Sequence, residues 1–225
     1  MKAVLCKELG PPEKLVVENV PSPKAGKGEV VLTVKACGVN FPDTLIIQGK
    51  YQYKPELPFS PGGEVAGMVK EVGEGVTSLK PGDRVIAFST WGGFAEELTV
   101  EADRTVIMPP KMDFAPAAGF VLTYGTSYHG LKDRAQLKAG ETLLVLGASG
   151  GVGIAAIQLG RAMGARVIAA ASSPAKLKVC KDNGADELID YSQEDLRARI
   201  KAITAGKGVD VVYDPVGGPY TEPAL

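Results

Sequence analysis

A glycine-rich turn, Gly147–Gly153, has the composition of a phosphate-binding loop. It follows the apolar run Leu143–Leu146 and opens a helical pattern. In a strand–turn–helix of this kind, a small first residue (Ala148) permits a tight turn, and the second (Gly150) lets backbone N–H groups approach a pyrophosphate. The third, Gly153, lets the helix pack close to the sheet, and the helix N-terminus adds partial positive charge. The alternative is a turn of purely steric origin. The residues expected to form the cradle are Ala148, Ser149, Gly150, Gly151, Val152 and Gly153.

The end of the second strand in this half indicates which dinucleotide would bind. Sites that prefer NAD place Asp or Glu about 20 residues after the glycines, on the ribose 2′-OH. Here Ala171 stands in that place, and Ser172, Ser173 and Lys176 follow. Without a carboxylate there is no repulsion against a 2′-phosphate, and a lysine with hydroxyls can bind one. The pattern favours NADPH over NADH. The alternative is that the two serines and Pro174 only cap the next helix, and both can hold.

The part of the chain after Pro116 alternates between short apolar strands and helical patterns. This alternation predicts right-handed βαβ units and a parallel sheet, with about four of the six strands of a complete doubly wound sheet. If the chain ends at Leu225, the fourth strand is expected to be an exposed edge. The predicted strands are Leu143–Gly147, Arg166–Ala171, Glu187–Asp190 and Asp210–Asp214, and the predicted helices are Val152–Met163, Ala175–Asn183 and Glu194–Thr204.

The first 110 residues are β-rich and frequently interrupted by proline. Strand patterns occur within Gly28–Val39, Gly62–Val76 and Gly82–Phe88, each bounded by Gly, Pro or Asp. Such punctuation favours a barrel-like or irregular β domain. We therefore predict an α/β plus β chain, with a β-rich domain over residues 1–118 and a nucleotide-binding domain over residues 119–225.

The composition excludes several classes of protein. A net charge of −1 with 45 % hydrophobic and 23 % charged residues indicates a globular core and no nucleic-acid or membrane-surface partner. Three widely spaced cysteines, Cys6, Cys37 and Cys180, are typical of reduced thiols in the cytoplasm. The N-terminus lacks the apolar core of a secretory signal, and no run of 18 apolar residues exists.

Four stretches, in order along the chain, resemble the medium-chain dehydrogenase/reductase superfamily. They are Gly38–Tyr51, Pro61–Val76, Gly82–Val85 and Leu146–Gly160. The resemblance implies a GroES-like catalytic domain followed by a Rossmann domain, and the nearest subgroup is the zinc-independent quinone oxidoreductases. It implies hydride transfer from NADPH to a quinone or another conjugated carbonyl. Family members are longer than this chain, and a full-length form is expected to be a homodimer.

The same resemblance allows zinc to be assessed from residue types. Zinc-dependent relatives bind the catalytic metal with a Cys and a His, whose matching positions here are Asn40 and Gly63. Neither supplies a thiolate or imidazole, and residues 85–105, where a structural zinc lobe would fall, contain no cysteine. The only histidine, His129, is expected to be a packed helix residue. We therefore expect no metal site.

The resemblance also assigns roles around the nicotinamide or substrate to three residues. The Asn40 amide would donate or accept a hydrogen bond, Tyr51 would donate to a developing oxyanion, and Asp43 would lie beside them. The alternatives are that Asn40 is a turn residue, that Asp43 braces the loop or caps a helix, and that Tyr51 is packing surface. Leu45 stands where some relatives have a second tyrosine.

The cofactor contacts carried over by resemblance are spread over the second half of the chain. Thr123 is expected by the nicotinamide, residues 149–152 by the pyrophosphate, and Val216 on the ribose side. Lys176 and Tyr191 are expected at the 2′-phosphate. The alternative functions are an enoyl-thioester reductase of the same layout, a non-catalytic NADPH-binding protein, and an inactive truncated fragment.

Overall fold

The computed structural model describes residues 1–225 and contains two compact units, Met1–Leu122 and Thr123–Leu225. The division falls between residues 122 and 123, whereas the sequence patterns suggest a boundary near residue 118. No helix in either unit is both long enough and apolar enough to cross a membrane.

The first unit is built on a five-stranded antiparallel sheet of strand order β6-β3-β4-β5-β7, and a separate pair joins β1 to β2. Apolar side chains fill its core because apolar and more polar residues alternate along the strands; in β6, for example, Leu98 and Val100 are buried between more exposed neighbours. The strands are β1 (Lys2–Leu5), β2 (Val16–Asn19), β3 (Glu29–Gly38), β4 (Glu64–Val72), β5 (Arg84–Phe88), β6 (Glu97–Glu101) and β7 (Thr105–Ile107). The helices are α1 (Phe41–Ile46), α2 (Phe114–Ala117) and α3 (Val121–Tyr128), the last of which continues into the second unit.

The second unit contains a four-stranded parallel sheet of order β10-β9-β8-β11. This order corresponds to strands 3-2-1-4 of a doubly wound sheet, so the predicted fold class is confirmed. The strands are β8 (Thr142–Val145), β9 (Arg166–Ala171), β10 (Glu187–Asp190) and β11 (Val211–Tyr213). The helices are α4 (Gly151–Ala162), α5 (Pro174–Asp182), α6 (Leu196–Ile203) and α7 (Thr221–Ala224), with a π-helical segment over His129–Arg134.

The central strands of this sheet are buried on both faces. Leu143 and Val145 of β8 pack on one side, while Leu144 packs on the other. The run of consecutive apolar residues in β8 and β9 is the pattern expected when helices cover both faces of a parallel sheet. Helices α4, α5 and α6 confirm the three predicted helices, each end lying within two residues of its predicted position.

The position of His129 differs from the one predicted from the sequence. The sequence predicts a packed helix residue, but the His129 side chain is 64 % exposed on the π-helical segment. Its Nδ1 lies 2.9 Å from Asp133 Oδ2, one helical turn away. The imidazole therefore lies at the surface beside an exposed carboxylate rather than in the core.

Candidate functional site

The glycine-rich turn follows β8, and Gly147 is its residue with a positive φ. Gly147 has φ +56°, a left-handed conformation that glycine adopts without steric cost. Ala148, to which the sequence assigned the turn, lies within it, and its N–H donates to Ala170 O at 3.1 Å. The turn begins at Leu146, directly after β8 ends at Val145.

Gly153 sets how closely α4 approaches this turn. A Cβ at Gly153 would lie 2.7 Å from the Cα, C and O atoms of Ala148, which are backbone and cannot give way. Gly153 is buried, whereas Gly150 and Gly151 are exposed. Gly150 is the N-cap of α4 and provides no side-chain cap, so the first N–H groups of this 12-residue helix are left for another acceptor. This is the arrangement in which a helix N-terminus binds a phosphate.

Two other residues expected at the cofactor lie beside this turn. A Cβ at Gly151 would lie 3.1 Å from Thr123 Cγ2, and a Cβ at Gly147 would lie 2.6 Å from Val216 Cγ2. Ser149 and Val152 are half-buried in the turn itself. The structure thus gathers Thr123, Val216 and the glycine-rich turn into one locality of the second unit.

The ends of β9 and β10 bring Ser172, Lys176 and Tyr191 together. Lys176 Nζ donates to Ser172 Oγ at 2.9 Å, and Ser172 also hydrogen-bonds to the Tyr191 side chain. The neighbouring Ser173 is the N-cap of α5 and accepts from Lys176 N at 3.4 Å. The two serines therefore divide the two functions proposed for them: Ser173 caps the helix, and Ser172 joins a cluster of one cation and two hydroxyls.

The surroundings of this cluster contain one carboxylate that sequence reasoning did not consider. Asp190 pairs with the buried Ala171 in the β10–β9 register. Its Oδ1 is occupied by Ser192, which donates from its N–H at 3.0 Å and from its hydroxyl at 2.6 Å. Burial raises the pKa of Tyr191, and the hydrogen bond from Ser172 opposes that shift.

In the first unit, Asn40, Asp43 and Tyr51 line one small cavity of about 30 Å³. The sequence resemblance named these three residues, and the structure brings them together. The other lining residues are Pro42, Gly63, Phe88, Thr90 and Leu122. Thr90 was not anticipated, since nothing in its local sequence separates it from an ordinary turn residue.

Asp43 anchors the loop that carries Asn40. Its Oδ2 accepts the N–H of Asn40 at 2.7 Å, and its Oδ1 accepts the N–H of Gly62 at 3.1 Å. Burial raises the Asp43 pKa, and these two backbone donors partly offset the shift. Both carboxylate oxygens are thus engaged by backbone, which is the bracing arrangement that the sequence left as an alternative.

Glu64, beside this cavity, is a second residue that sequence reasoning missed. It begins β4, it is 0 % exposed, and its Oε1 accepts the N–H of Leu122 at 2.9 Å. Its Oε2 accepts from Asn40 Nδ2 at 3.1 Å. Burial raises the Glu64 pKa, opposed by these donors. A signal was present: a lone acidic residue at the head of the apolar run Val65–Ala66 is unusual enough to suggest a buried, hydrogen-bonded carboxylate.

Tyr51 combines both roles considered for it. Its ring packs against an apolar cluster that includes Ile46, Ile47 and Phe59, and lies 5.9 Å from the ring of Tyr53. The residue is half-buried and also borders the cavity. Packing therefore fixes the ring while the residue stays within the site.

Comparisons with known proteins agree with this architecture. The alcohol dehydrogenase GroES-like domain family matches residues 26–110, and the zinc-binding dehydrogenase family matches residues 151–225. A quinone oxidoreductase-like protein 2 homolog from Nematostella vectensis is 44 % identical, over 100 % of this chain and 61 % of the relative. Rat quinone oxidoreductase is 40 % identical, over 95 % of this chain and 66 % of the relative. The crystal structure of Escherichia coli quinone oxidoreductase complexed with NADPH has a TM-score of 0.94 and 36 % identity, covering 100 % of this chain and 69 % of that chain.

The chain belongs to the quinone oxidoreductase-like group of the medium-chain dehydrogenase/reductase superfamily. The resemblance inferred from four sequence stretches is thereby confirmed. The chain spans 61 % to 69 % of the length of the relatives described above.

One of the two matching families is the zinc-binding dehydrogenase family, but the candidate zinc positions of this quinone oxidoreductase-like chain are not suited to the metal. A Cβ at Gly63 would lie 2.8 Å from Thr90 O and 2.9 Å from Thr90 C, so the backbone leaves no space for an imidazole there. Asn40, at the other matching position, is engaged with Glu64. No group of three or more His, Cys, Asp or Glu side chains in either unit is placed to hold a metal ion. The residues present do not form the tetrahedral N/S ligand set that zinc prefers.

Proposed function

We propose that this protein binds NADPH and reduces quinones or other conjugated carbonyls without zinc. The observation that carries the proposal is the Ser172–Lys176–Tyr191 cluster, at a strand end where Ala171 replaces the acid of NAD sites. A cation and two hydroxyls suit a phosphate dianion better than a ribose hydroxyl. The names of the rat and E. coli relatives, one of them complexed with NADPH, support the same assignment.

The residues of the second unit fit such a cofactor. The uncapped N-terminus of α4 and the exposed Gly150 and Gly151 would hold the pyrophosphate, while Ser172 and Lys176 would hold the 2′-phosphate. Thr123 and Val216 would flank the turn. When bound, NADPH supplies the hydride, and the protein supplies orientation and polarity.

The first unit supplies the polar groups for the substrate. We assign Tyr51 as hydrogen-bond donor to the carbonyl oxygen that gains negative charge. Asp43 does not transfer a proton in this proposal, because both of its oxygens accept backbone N–H groups. A quinone carbonyl is already activated by conjugation, so the absence of a zinc ligand set does not prevent its reduction.

The resemblance also supports a homodimer for a full-length form and a cytoplasmic location.

A titration of NADPH and NADH, followed by nicotinamide fluorescence, tests the cofactor assignment. We expect NADPH to bind more tightly, and Lys176→Ala to remove most of that preference while leaving NADH binding nearly unchanged. Lys178→Ala is the matched control, because Lys178 lies on the same helix but pairs with Asp182 at 2.6 Å. An unaltered preference in Lys176→Ala would overturn the assignment.

Turnover separates the proposed activity from its alternatives. Steady-state oxidation of NADPH with a benzoquinone, an enone and an enoyl-CoA thioester identifies the acceptor class. Reduction of the thioester alone would favour the enoyl-thioester reductase. Tight NADPH binding with no turnover of any acceptor would favour a non-catalytic binding protein.

A further inference from the structure

The rings of Tyr191 and Tyr220 form an aromatic pair beyond the end of β10. Their centroids lie 4.5 Å apart and their planes are tilted by 41°, a geometry that favours aromatic contact. Tyr191 directly follows β10, whereas Tyr220 lies in the short 3₁₀ helix Gly218–Tyr220 that follows β11. Both rings are half-buried and pack against the apolar cluster that contains Ile189 and Leu196. The pair therefore joins the segments that follow the two edge strands of the parallel sheet.

Tyr191 also contacts the cluster to which the cofactor preference is assigned. Ser172 hydrogen-bonds to the Tyr191 side chain, and Lys176 Nζ donates to Ser172 Oγ at 2.9 Å. A continuous series of contacts thus leads from the Tyr220 ring through the Tyr191 ring to the two polar side chains. Because the tyrosine side chain turns about its χ angles, the position of the Tyr191 hydroxyl depends on what packs against the ring.

Hydrogen bonds on both sides hold the segment that carries Tyr220. Thr221 Oγ1 donates to Asp214 Oδ2 at 2.6 Å, and Asp214 Oδ1 accepts two backbone N–H groups of the same loop. On the other side, a guanidinium N–H of Arg197 in α6 donates to Glu222 O at 2.8 Å. None of these bonds involves the Tyr191 side chain, so the Tyr220 ring is placed by its own segment.

We propose that Tyr220 is a positioning residue for cofactor preference, which holds the Tyr191 ring so that its hydroxyl stays beside Ser172 and Lys176 to meet the 2′-phosphate of NADPH. This proposal rests on the proposed function. A phosphate is bound well when its donors already converge on one position, and here they come from two segments, one after β9 and one after β10. Because NADH has no phosphate at that position, displacement of the Tyr191 hydroxyl is expected to weaken the binding of NADPH alone.

Tyr220→Ala tests this difference between the two dinucleotides, with each Kd measured by nicotinamide fluorescence. We expect the preference for NADPH to fall about fivefold or more, while the Kd of NADH stays within about twofold of the original. Tyr220→Phe keeps the ring and should keep the preference. Tyr128→Ala is the matched control in the same unit, because the Tyr128 ring contacts Lys132 instead of the cluster. An unchanged preference in Tyr220→Ala would overturn the proposal.

A double-variant cycle separates action through Tyr191 from general support of the fold. Tyr191→Ala alone should lower the preference for NADPH, because it removes one of the hydroxyls. Adding Tyr220→Ala to that variant should lower the preference further by less than about twofold, since no Tyr191 ring is left to position. Losses that simply add would contradict the proposal, because Tyr220 would then act by a route that does not include Tyr191.

A measurement on the original protein does not depend on the folding of Tyr220→Ala. The aromatic NMR signals, assigned with Tyr191→Phe and Tyr220→Phe, are followed as adenosine 2′,5′-bisphosphate or adenosine 5′-monophosphate is added. We expect the bisphosphate to shift the Tyr191 signal much more than the monophosphate does, with the NOE between the two rings retained. Loss of that NOE on binding, or equal shifts with the two nucleotides, would show that the pair does not hold Tyr191 at the phosphate.

Failure of the proposed function gives a different result. If the original protein binds NADPH no more tightly than NADH, the cofactor assignment is wrong and the role of Tyr220 falls with it. If Lys176→Ala removes a clear preference for NADPH but Tyr220→Ala does not, only the positioning role is wrong. If no acceptor is reduced, the proposed activity is wrong, but the binding measurements still decide the role of Tyr220 because they need no acceptor.

Discussion

The cavity of the first unit is held in place by side chains, whereas the glycine-rich turn of the second unit is held by backbone. Around the cavity, Asp43 and Glu64 accept N–H groups from Asn40, Gly62 and Leu122. In the turn, close packing of backbone depends on the lack of a side chain, because the Ala148 backbone occupies the space that a Cβ at Gly153 would need. The stability of the cavity region is therefore expected to fall when an acceptor is removed, since a buried donor is then left unpaired. The stability of the glycine-rich turn is expected to fall when an atom is added, since there is no space for it.

The largest effect is expected from adding one carbon to the turn. Gly153→Ala places a Cβ 2.7 Å from three backbone atoms of Ala148, so α4 must move away from β8. We expect a loss of about 3 kcal/mol in the free energy of unfolding, measured by urea denaturation, and loss of NADPH binding.

The matched control for this change is Gly125→Ala, in the middle of α3. A Cβ there meets no atom within 4 Å, so the same substitution is expected to stabilise the protein by about 0.5–1 kcal/mol. Equal effects of the two substitutions would show that close contact between Gly153 and the Ala148 backbone does not restrict the turn.

Removing a buried acceptor from the first unit is expected to have the next largest effect. Asp43→Ala leaves the N–H groups of Asn40 and Gly62 without their carboxylate, at a cost of about 2 kcal/mol in the free energy of unfolding. Asp83→Ala, which removes one exposed bond to the Lys80 N–H, should cost about 1 kcal/mol or less. If the two variants unfold at the same urea concentration, the bracing role of Asp43 is wrong.

A smaller effect is expected from the one buried hydroxyl that supports the turn. Ser127 Oγ donates to Val152 O at 2.8 Å and lies 3.1 Å from the Tyr213 hydroxyl. Ser127→Ala should lower the free energy of unfolding by about 1 kcal/mol, and Thr126→Ala, at an exposed neighbouring position, by less than about 0.5 kcal/mol. A loss at Ser127 as large as that at Asp43 would remove the contrast between the two units.

The smallest effect is a pH dependence that arises from Glu64 in the first unit. Burial raises the Glu64 pKa in the folded protein, so the folded state holds this proton more tightly than the unfolded state. The contribution of Glu64 to stability is therefore complete below the unfolded pKa of about 4.3, and it is lost as the pH rises through the folded pKa.

Urea denaturation of the original protein and of Glu64→Gln between pH 4 and pH 8 measures this dependence. The stability of the original protein minus that of the variant should decrease as the pH rises, because only the original protein carries this carboxyl group. A difference that stays constant or increases would show that burial does not dominate the environment of Glu64.

Local sequence patterns were sufficient to predict the parts of the structure that depend on residues close together in the chain. The parallel sheet, its helices and the uncapped start of α4 follow from apolar runs and glycines that lie within a few residues of one another. The Ser172–Ser173 pair was also foreseeable, although only the structure showed that one serine caps α5 and the other contacts Lys176. His129 was wrongly assigned because exposure of a helical face depends on what packs against it.

Burial of Glu64 has a local signal in the apolar residues that follow it, but its hydrogen-bond partners could not be predicted because they are distant in the chain. Leu122 lies 58 residues away and Asn40 lies 24 residues away, and no local pattern relates these three positions. Gly147 belongs to the glycine-rich turn identified in the sequence, but only the folded backbone shows that it takes the positive φ.

The sequence by itself determined the order of strands and helices, the glycines that leave room at the turn, and the absence of an acid at Ala171. These properties are carried by single residues or by short periodic runs, and they hold whatever the remainder of the chain does. Tertiary structure alone decided which donors reach the buried carboxylates. A carboxylate is costly to bury unless it accepts hydrogen bonds, and here the N–H donors come from separate strands and loops that only the fold brings together.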